Sequence, residues 1–437
     1  MNNPSKPRFK QFLGYSSLIN VLLSASCLLI FINNIIFREF NERINSVSAW
    51  LLIIISLYFV YKCRHNILLF VVSIFMFYSN YSIAVGIYLY PNRPVVLYHQ
   101  ITDVSIYGIG ITLVLTFMWI LVMLMPRNIN RLNIAQGTTN RFIVICLCSA
   151  LMLIFIYGYN QTASLIRGAS SPIYEYSVIL FILGFYYSGD NSYLQTLMKV
   201  FVILFAFQSF FHGTRIEGLI FLLALLCYYY GGKLTYKQLI PYAVVVTFLM
   251  VFIGIFRANA SWSIDSISYV LSVMRDNLFV FDTATWAYFP SLGMIEVRNL
   301  IPQSESIRLF GNFVLSIIFG SSVPDSNVVQ YVKQYYYHSN GGWLQMFFYF
   351  WFGWSGLFII AGLIVFYLRV IINQPSKGYR YLLAIYIVST VPRWYLYTPL
   401  HLLRGVLLFS IAFLGLFLIN RIEIHRRKPL RLRKSRE

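Results

Sequence analysis

Apolar runs of roughly 17–25 residues recur along the whole chain, and this repetition restricts the fold more than any other feature. In hydrocarbon no water is available to backbone N–H and C=O groups, so a run of that length has to satisfy them internally, as helix. The runs predict twelve spans: 12–37, 46–62, 66–90, 105–125, 142–160, 173–188, 194–212, 215–231, 239–257, 344–370, 380–392 and 404–420. Composition agrees. Of 437 residues, 59% are apolar and only 11% charged, against about a quarter charged in a soluble domain. The expected fold class is therefore all-α, a polytopic membrane protein with about 12 transmembrane helices. Cys27, Cys63, Cys146, Cys148 and Cys227 fall in spans or at their cytoplasmic ends. That pattern indicates neither a disulfide framework nor a CxxC metal site. The N-terminus shows no small-residue cleavage site, so the first span is expected to be retained.

Lys and Arg fix the expected orientation, because they accumulate in cytoplasmic loops. With the N-terminus inside, the cytoplasmic segments hold Lys6, Arg8, Lys10, Lys62, Arg64, Arg127, Arg131, Arg141, Lys199, Lys233, Lys237, Arg369, Lys377, Arg380 and the basic tail. An even number of spans returns the C-terminus to the same side. The net charge of +20 is then an anchor against anionic lipid heads and needs no nucleic acid. The chain divides into spans one to nine (1–257), one large outer loop (258–343), spans ten to twelve (344–420) and a basic cytoplasmic tail (421–437).

The large loop is too rich in apolar and aromatic residues to be disordered. Residues 267–281 show helical spacing through Tyr269, Val270, Val273, Met274 and Phe279, and 307–318 through Phe310, Phe313, Val314 and Ile317. A third loop helix is expected to start near Asp325, after Pro324, and to stop at Asn340-Gly341-Gly342. Amphipathic helices beside a membrane are expected to lie in its interface.

Ionisable groups at membrane depth are costly and usually functional. Arg215 opens a span, shares a turn with His212 and precedes Glu217, which reads as its structural partner. Arg257 lies where the ninth span exits. Arg275, Arg298, Arg308, Lys333 and His338 lie in the loop, and Arg393, His401 and Arg404 near the outer end of the last hairpin. The plain alternative for a span-end arginine is snorkelling to lipid phosphate, and Arg38, Arg43 and Arg93 read that way. His338 can equally be an ordinary loop histidine, and Tyr335-Tyr336-Tyr337 an interfacial aromatic belt. No HExxH, P-loop, GxSxG or nucleotide fingerprint occurs. The first outer loop, Arg38-Glu39-Phe40-Asn41-Glu42-Arg43, lacks the paired acids that a metal-dependent membrane glycosyltransferase places there. Arginine is then the candidate for neutralising phosphate, which its planar fork bonds bidentately.

This pattern resembles the bacterial O-antigen polymerase family and, more distantly, the O-antigen ligases. The resemblance rests on the dozen spans, both ends inside and one large periplasmic loop before the last spans. Locally it rests on Gly213-Thr214-Arg215 at the outer start of a span, and on His338-Ser339 followed by Gly353-Trp354-Ser355-Gly356. The GxxG lies about one helical turn further from His338 than in a ligase-like pattern.

The resemblance implies a bacterial inner-membrane enzyme. Its implied reaction is glycosyl transfer at the periplasmic face, with an undecaprenyl-diphosphate-linked oligosaccharide as donor and a sugar hydroxyl of a second lipid-linked repeat as acceptor. Arg215, with Arg257 or Arg275, would hold the diphosphate; His338 would act as base; His212 and Arg393 would contact substrate. No metal, nucleotide or other cofactor is implied. Membrane lipids and a chain-length regulator protein are implied partners. The alternatives are a flippase for the same lipid-linked sugar and a ligase. A flippase shows two similar halves and short loops on both sides. A membrane O-acyltransferase is less compatible, since its donor is cytoplasmic and the histidines here face out.

Overall fold

The computed structural model describes residues 7–37, 40–90, 103–126, 137–160, 169–259, 264–280, 282–336, 340–372 and 378–434. These residues are almost wholly helical, as the absence of water from the expected spans requires. Helix α1 (Pro7–Ile32) continues as a π-helical turn, Asn33–Phe37; α2 covers Glu42–Cys63; α3 (Ile67–Ile83) continues as a second π-helical turn, Ala84–Leu89. Then come α4 (Val104–Leu124), α5 (Arg141–Tyr157), α6 (Pro172–Tyr176), α7 (Val178–Ser188), α8 (Ser192–Phe211), α9 (Arg215–Tyr230) and α10 (Tyr236–Asn259). A two-residue antiparallel pair, β1 (Tyr159–Asn160) with β2 (Ala169–Ser170), lies between α5 and α6. The loop region holds α11 (Ile264–Asp276), α12 (Asp282–Leu300), α13 (Gln303–Phe319) and α14 (Val328–Val332). The chain ends with α15 (Leu344–Phe352), α16 (Trp354–Ile372), α17 (Tyr379–Ser389), α18 (Val391–Leu396) and α19 (Leu400–Lys434).

Among the described residues, eight helices are long and apolar enough to cross a membrane: Leu18–Phe37, Glu42–Cys63, Ile67–Leu89, Val104–Leu124, Ser192–Phe211, Tyr236–Ile255, Trp354–Ile372 and Leu400–Ile422. Each coincides with an expected span. Other expected spans are short or divided. Residues 173–188 form α6 and α7, separated at Ser177, whose hydroxyl donates to the Tyr174 carbonyl (2.8 Å). Residues 344–370 bend at Gly353, which ends α15 with φ +61° and ψ −145°. Only glycine adopts that conformation without strain. A Cβ at Gly356 would collide with the Phe348 carbonyl oxygen. Both glycines of the Gly353-Trp354-Ser355-Gly356 stretch are thus explained by a helix–helix corner.

Two compact units form. The first comprises Met1–Cys63, Ser73–Asn128 and Val280–Phe366. In it α4 packs on α1, α2, α12 and α15, while α12 packs on α14 and α15. The sequence pattern concealed α12, because Pro290, Asp282, Glu296 and Arg298 interrupt its apolar period. Yet Ala284, Ala287, Tyr288, Leu292, Met294 and Ile295 are fully buried. Trp343 fastens this helix: its indole N–H donates to the Ala284 carbonyl (3.0 Å) and its backbone N–H to Ser291 Oγ (2.8 Å). Tyr288 meets Tyr88 hydroxyl to hydroxyl at 2.6 Å.

Helices α11 and α13 occupy the two loop segments expected to be helical. The third expectation needs correction. Asp325 has φ +50°, which is not an N-cap conformation, and its carboxylate faces Arg308 at 3.4 Å. Asn327 is the cap instead, accepting from the Val329 N–H (3.1 Å), and α14 is only five residues long. Arg308 also donates twice to Glu305 (2.8 and 2.7 Å), which holds that carboxyl below the usual carboxylate range.

The second unit comprises Arg64–Val72, Ile129–Phe279 and Tyr367–Glu437. Here α9 packs on α7, α8, α17 and α18, and α10 packs on α11. Its centre is aromatic, with Tyr174, Phe181, Phe205 and Phe221 in mutual ring contact.

Candidate functional site

His212, Arg215 and Glu217 lie where α8 turns into α9. His212 caps α8 through its N–H, donating to the Gln208 carbonyl (3.0 Å), and its ring stacks on Tyr159 at 4.7 Å. Gly213 carries the reversal with φ +73°, a left-handed conformation that favours glycine. Thr214 closes it, its N–H donating to the Ser209 carbonyl (2.8 Å), and its hydroxyl meets the Tyr159 hydroxyl.

Arg215 is the first residue of α9. Its guanidinium donates to the Met250 carbonyl of α10 and lies against Gly254, where a Cβ would collide with it. Gly254 has a local reason to be glycine: it leaves room for that guanidinium. Arg257 follows Gly254 by three residues on α10. Arg275 lies in the last turn of α11 and is mostly exposed (78%), paired only with its neighbour Asp276 at 3.2 Å among the described residues.

Glu217 does not take the partner expected for it. Residues two apart on a helix point about 200° apart, so Glu217 faces inward, away from Arg215. It is 4% exposed and contacts Arg393 of α18. The same guanidinium nitrogen of Arg393 donates to Glu175 of α6 at 2.9 Å. Ser170, on β2, donates to both carboxylates, at 3.2 Å to Glu175 and 3.0 Å to Glu217. His401, in the first turn of α19, brings Nε2 to 3.5 Å from Glu175. Tyr397 lies under the Arg393 guanidinium at 5.0 Å, and Tyr176 stacks near His401 at 5.4 Å. Arg404 sits over Tyr176 at 5.8 Å.

One guanidinium bridging two carboxylates can survive burial because the cost of removing each charge from water is offset by close, hydrogen-bonded pairing. Arg393, expected from the sequence to contact substrate, pairs here with Glu175 and Glu217. Glu175 and Ser170 were not singled out in the sequence; His401 and Arg404 were noted there as ionisable groups near the last hairpin but given no role. Glu175 carried the same signal as Glu217, a carboxylate inside an expected span.

Five of the six expected site residues, His212, Arg215, Arg257, Arg275 and Arg393, belong to the second unit. His338 lies outside the described residues. Compared with known proteins, the chain matches no family model, no curated protein and no solved structure.

Proposed function

We propose that this chain is a glycosyltransferase of the bacterial inner membrane that polymerises undecaprenyl-diphosphate-linked oligosaccharide repeats into O-antigen or capsular polysaccharide. The observation that carries the reading is Arg215, a guanidinium at the first residue of a helix in an apolar helical protein, lodged against Met250 and Gly254 of α10. Arg215 opens α9, and Arg257 follows its contact at Gly254 by three residues on α10. A reaction that expels a lipid diphosphate needs cations where that charge develops, and a membrane protein has little other reason to keep them there.

In this reading twelve spans leave both termini cytoplasmic and α11 to α14 periplasmic. The acceptor hydroxyl attacks the anomeric carbon of the donor sugar. The bond from that carbon to the diphosphate oxygen breaks, and undecaprenyl diphosphate leaves with the electron pair. Arg215 holds the diphosphate, with Arg257 and Arg275 as its helpers, and His212 lines the approach. His338 takes the hydroxyl proton, a role that rests on the resemblance alone. Metal is not required, since the guanidinium fork supplies the charge and the geometry for phosphate.

The sugar ladder of a deletion strain tests this. Loss of the polymerase leaves the single-repeat product and removes all longer ones. Loss of the single-repeat product as well would identify a flippase, and an unchanged ladder would remove the chain from this pathway.

A further inference from the structure

Polar groups sealed inside a protein need hydrogen-bond partners, and the first turn of α15 leaves several without one. Leu344 and Gln345 are fully buried. Neither backbone N–H donates to any group among the described residues. Every helix start leaves such N–H groups over, and a capping side chain normally takes one of them. Trp343, at the cap position, supplies no side-chain bond. A second, separate observation is the Gln345 side chain. Its Oε1 and Nε2 are both buried, and neither has a partner. Cα–Cβ bonds on a helix tilt toward its N-terminus, so this amide reaches back over the turn that carries the free N–H groups.

A buried amide without partners is expensive. An apolar side chain would match the neighbours better, since Trp343, Met346 and Phe347 are also buried. The chemistry of the free groups narrows what satisfies them. The two N–H groups and the amide NH2 are donors, and the amide oxygen is an acceptor. An anion would take the donors but be repelled by Oε1, and it would carry a charge into a fully buried turn at high desolvation cost. A neutral oxygen with both lone pairs and a proton suits all of them. Leu344 and Gln345 have no exposed surface, which selects the smallest such molecule.

We propose that the first turn of α15 binds an internal water, which accepts from the free N–H groups and donates to the Gln345 amide oxygen. Such a water is a fixed part of the fold. It completes the fastening of this turn. Trp343 already ties the start of α15 to α12 through Ala284 and Ser291. A Cβ at Gly342 would collide with Met294 of α12, so the backbone there is pressed against the same helix. The bound water holds the return from the loop region into α15 in one geometry. The site is independent of the polymerase reading and stands if that reading fails.

Gln345→Met tests the proposal, because the expected sign depends on whether a ligand is present. Met is close to Gln in length and carries no strong hydrogen-bonding group. Removing an amide that has no ligand would relieve a buried polar burden, and the thermal midpoint of the full-length protein in detergent would rise. Removing an amide that binds water leaves the water and the N–H groups short of partners. The midpoint is therefore expected to fall by several degrees. A cryo-electron microscopy map of the parent protein, at a resolution that shows waters, should contain a compact peak within about 3 Å of the Gln345 amide. A midpoint that rises or stays unchanged in folded Gln345→Met overturns the proposal. A map without that peak also overturns it, and the map decides if the variant does not fold. Elongated density in place of a compact peak would mean a larger solute and would equally overturn the water.

Discussion

At the scale of single residues, Arg393 has the clearest energetic consequence. Its side chain is 12% exposed, and its partners Glu175 and Glu217 are 20% and 5% exposed. Arg393→Ala would leave two carboxylates with little water and no cation. Breaking a buried pair in this way costs about 3–5 kcal/mol, so thermal unfolding in detergent should show a large loss and cellular abundance should fall. Adding Glu175→Gln and Glu217→Gln should recover most of that loss. A singly substituted Arg393→Ala protein as stable as the parent would show that the pairs contribute nothing. The same residues mark what sequence spacing could reveal. That Glu217 lies inside an apolar run was legible in the sequence, and it is buried. Its partner was not, because Arg393 is 176 positions away and no local pattern links them. Helical geometry argued against Arg215 from the start, since side chains two apart diverge.

At the scale of elements, α13 is the most instructive. Ser306, Leu309, Phe313 and Ser316 are buried, whereas Ile307, Val314, Leu315 and Ile318 are exposed. An exposed face this apolar suits the lipid interface better than water. Single cysteines along 304–318 should therefore label with helical periodicity. Positions 309, 313 and 316 should be protected, 304 and 308 reactive to a water-borne reagent, and 307, 314 and 318 reactive to a lipid-borne one. Uniform water-borne labelling would contradict an interfacial helix. The existence of α11 and α13 was readable because their apolar residues recur at helical spacing, but α11 runs Ile264–Asp276 and stops before Leu278 and Phe279, whose positive φ ends the helix inside the expected 267–281. Helix α12 was not readable, since its buried face is built from Ala, Ser, Thr and Gly as much as from large apolar residues. The corner at Gly353 was also hidden, because the apolar run continues through it and only the backbone conformation shows the bend.

At the scale of the whole molecule, long apolar runs are the most legible feature, because hydrocarbon permits only internally bonded helix. Among the described residues, the eight helices long enough to cross a membrane each overlap a run visible in the sequence. Division into two interleaved units was not visible, since it depends on contacts between segments far apart in the chain. The positive-inside asymmetry leads to an orientation that reporters can check. Fusions after Lys237 and after Arg380 should report cytoplasm, and insertions at 304–305 and at Pro399 should report periplasm. A cytoplasmic signal from 304–305 would reverse the orientation and with it the face on which the chemistry is placed.

The most direct test of the central claim is the sugar ladder made by Arg215 variants expressed at the parent level. Arg215→Lys keeps the charge but loses the bidentate fork. It should shorten or thin the ladder, and Arg215→Ala should leave almost only the single-repeat product. A full-length ladder from well-expressed Arg215→Ala protein would contradict the account.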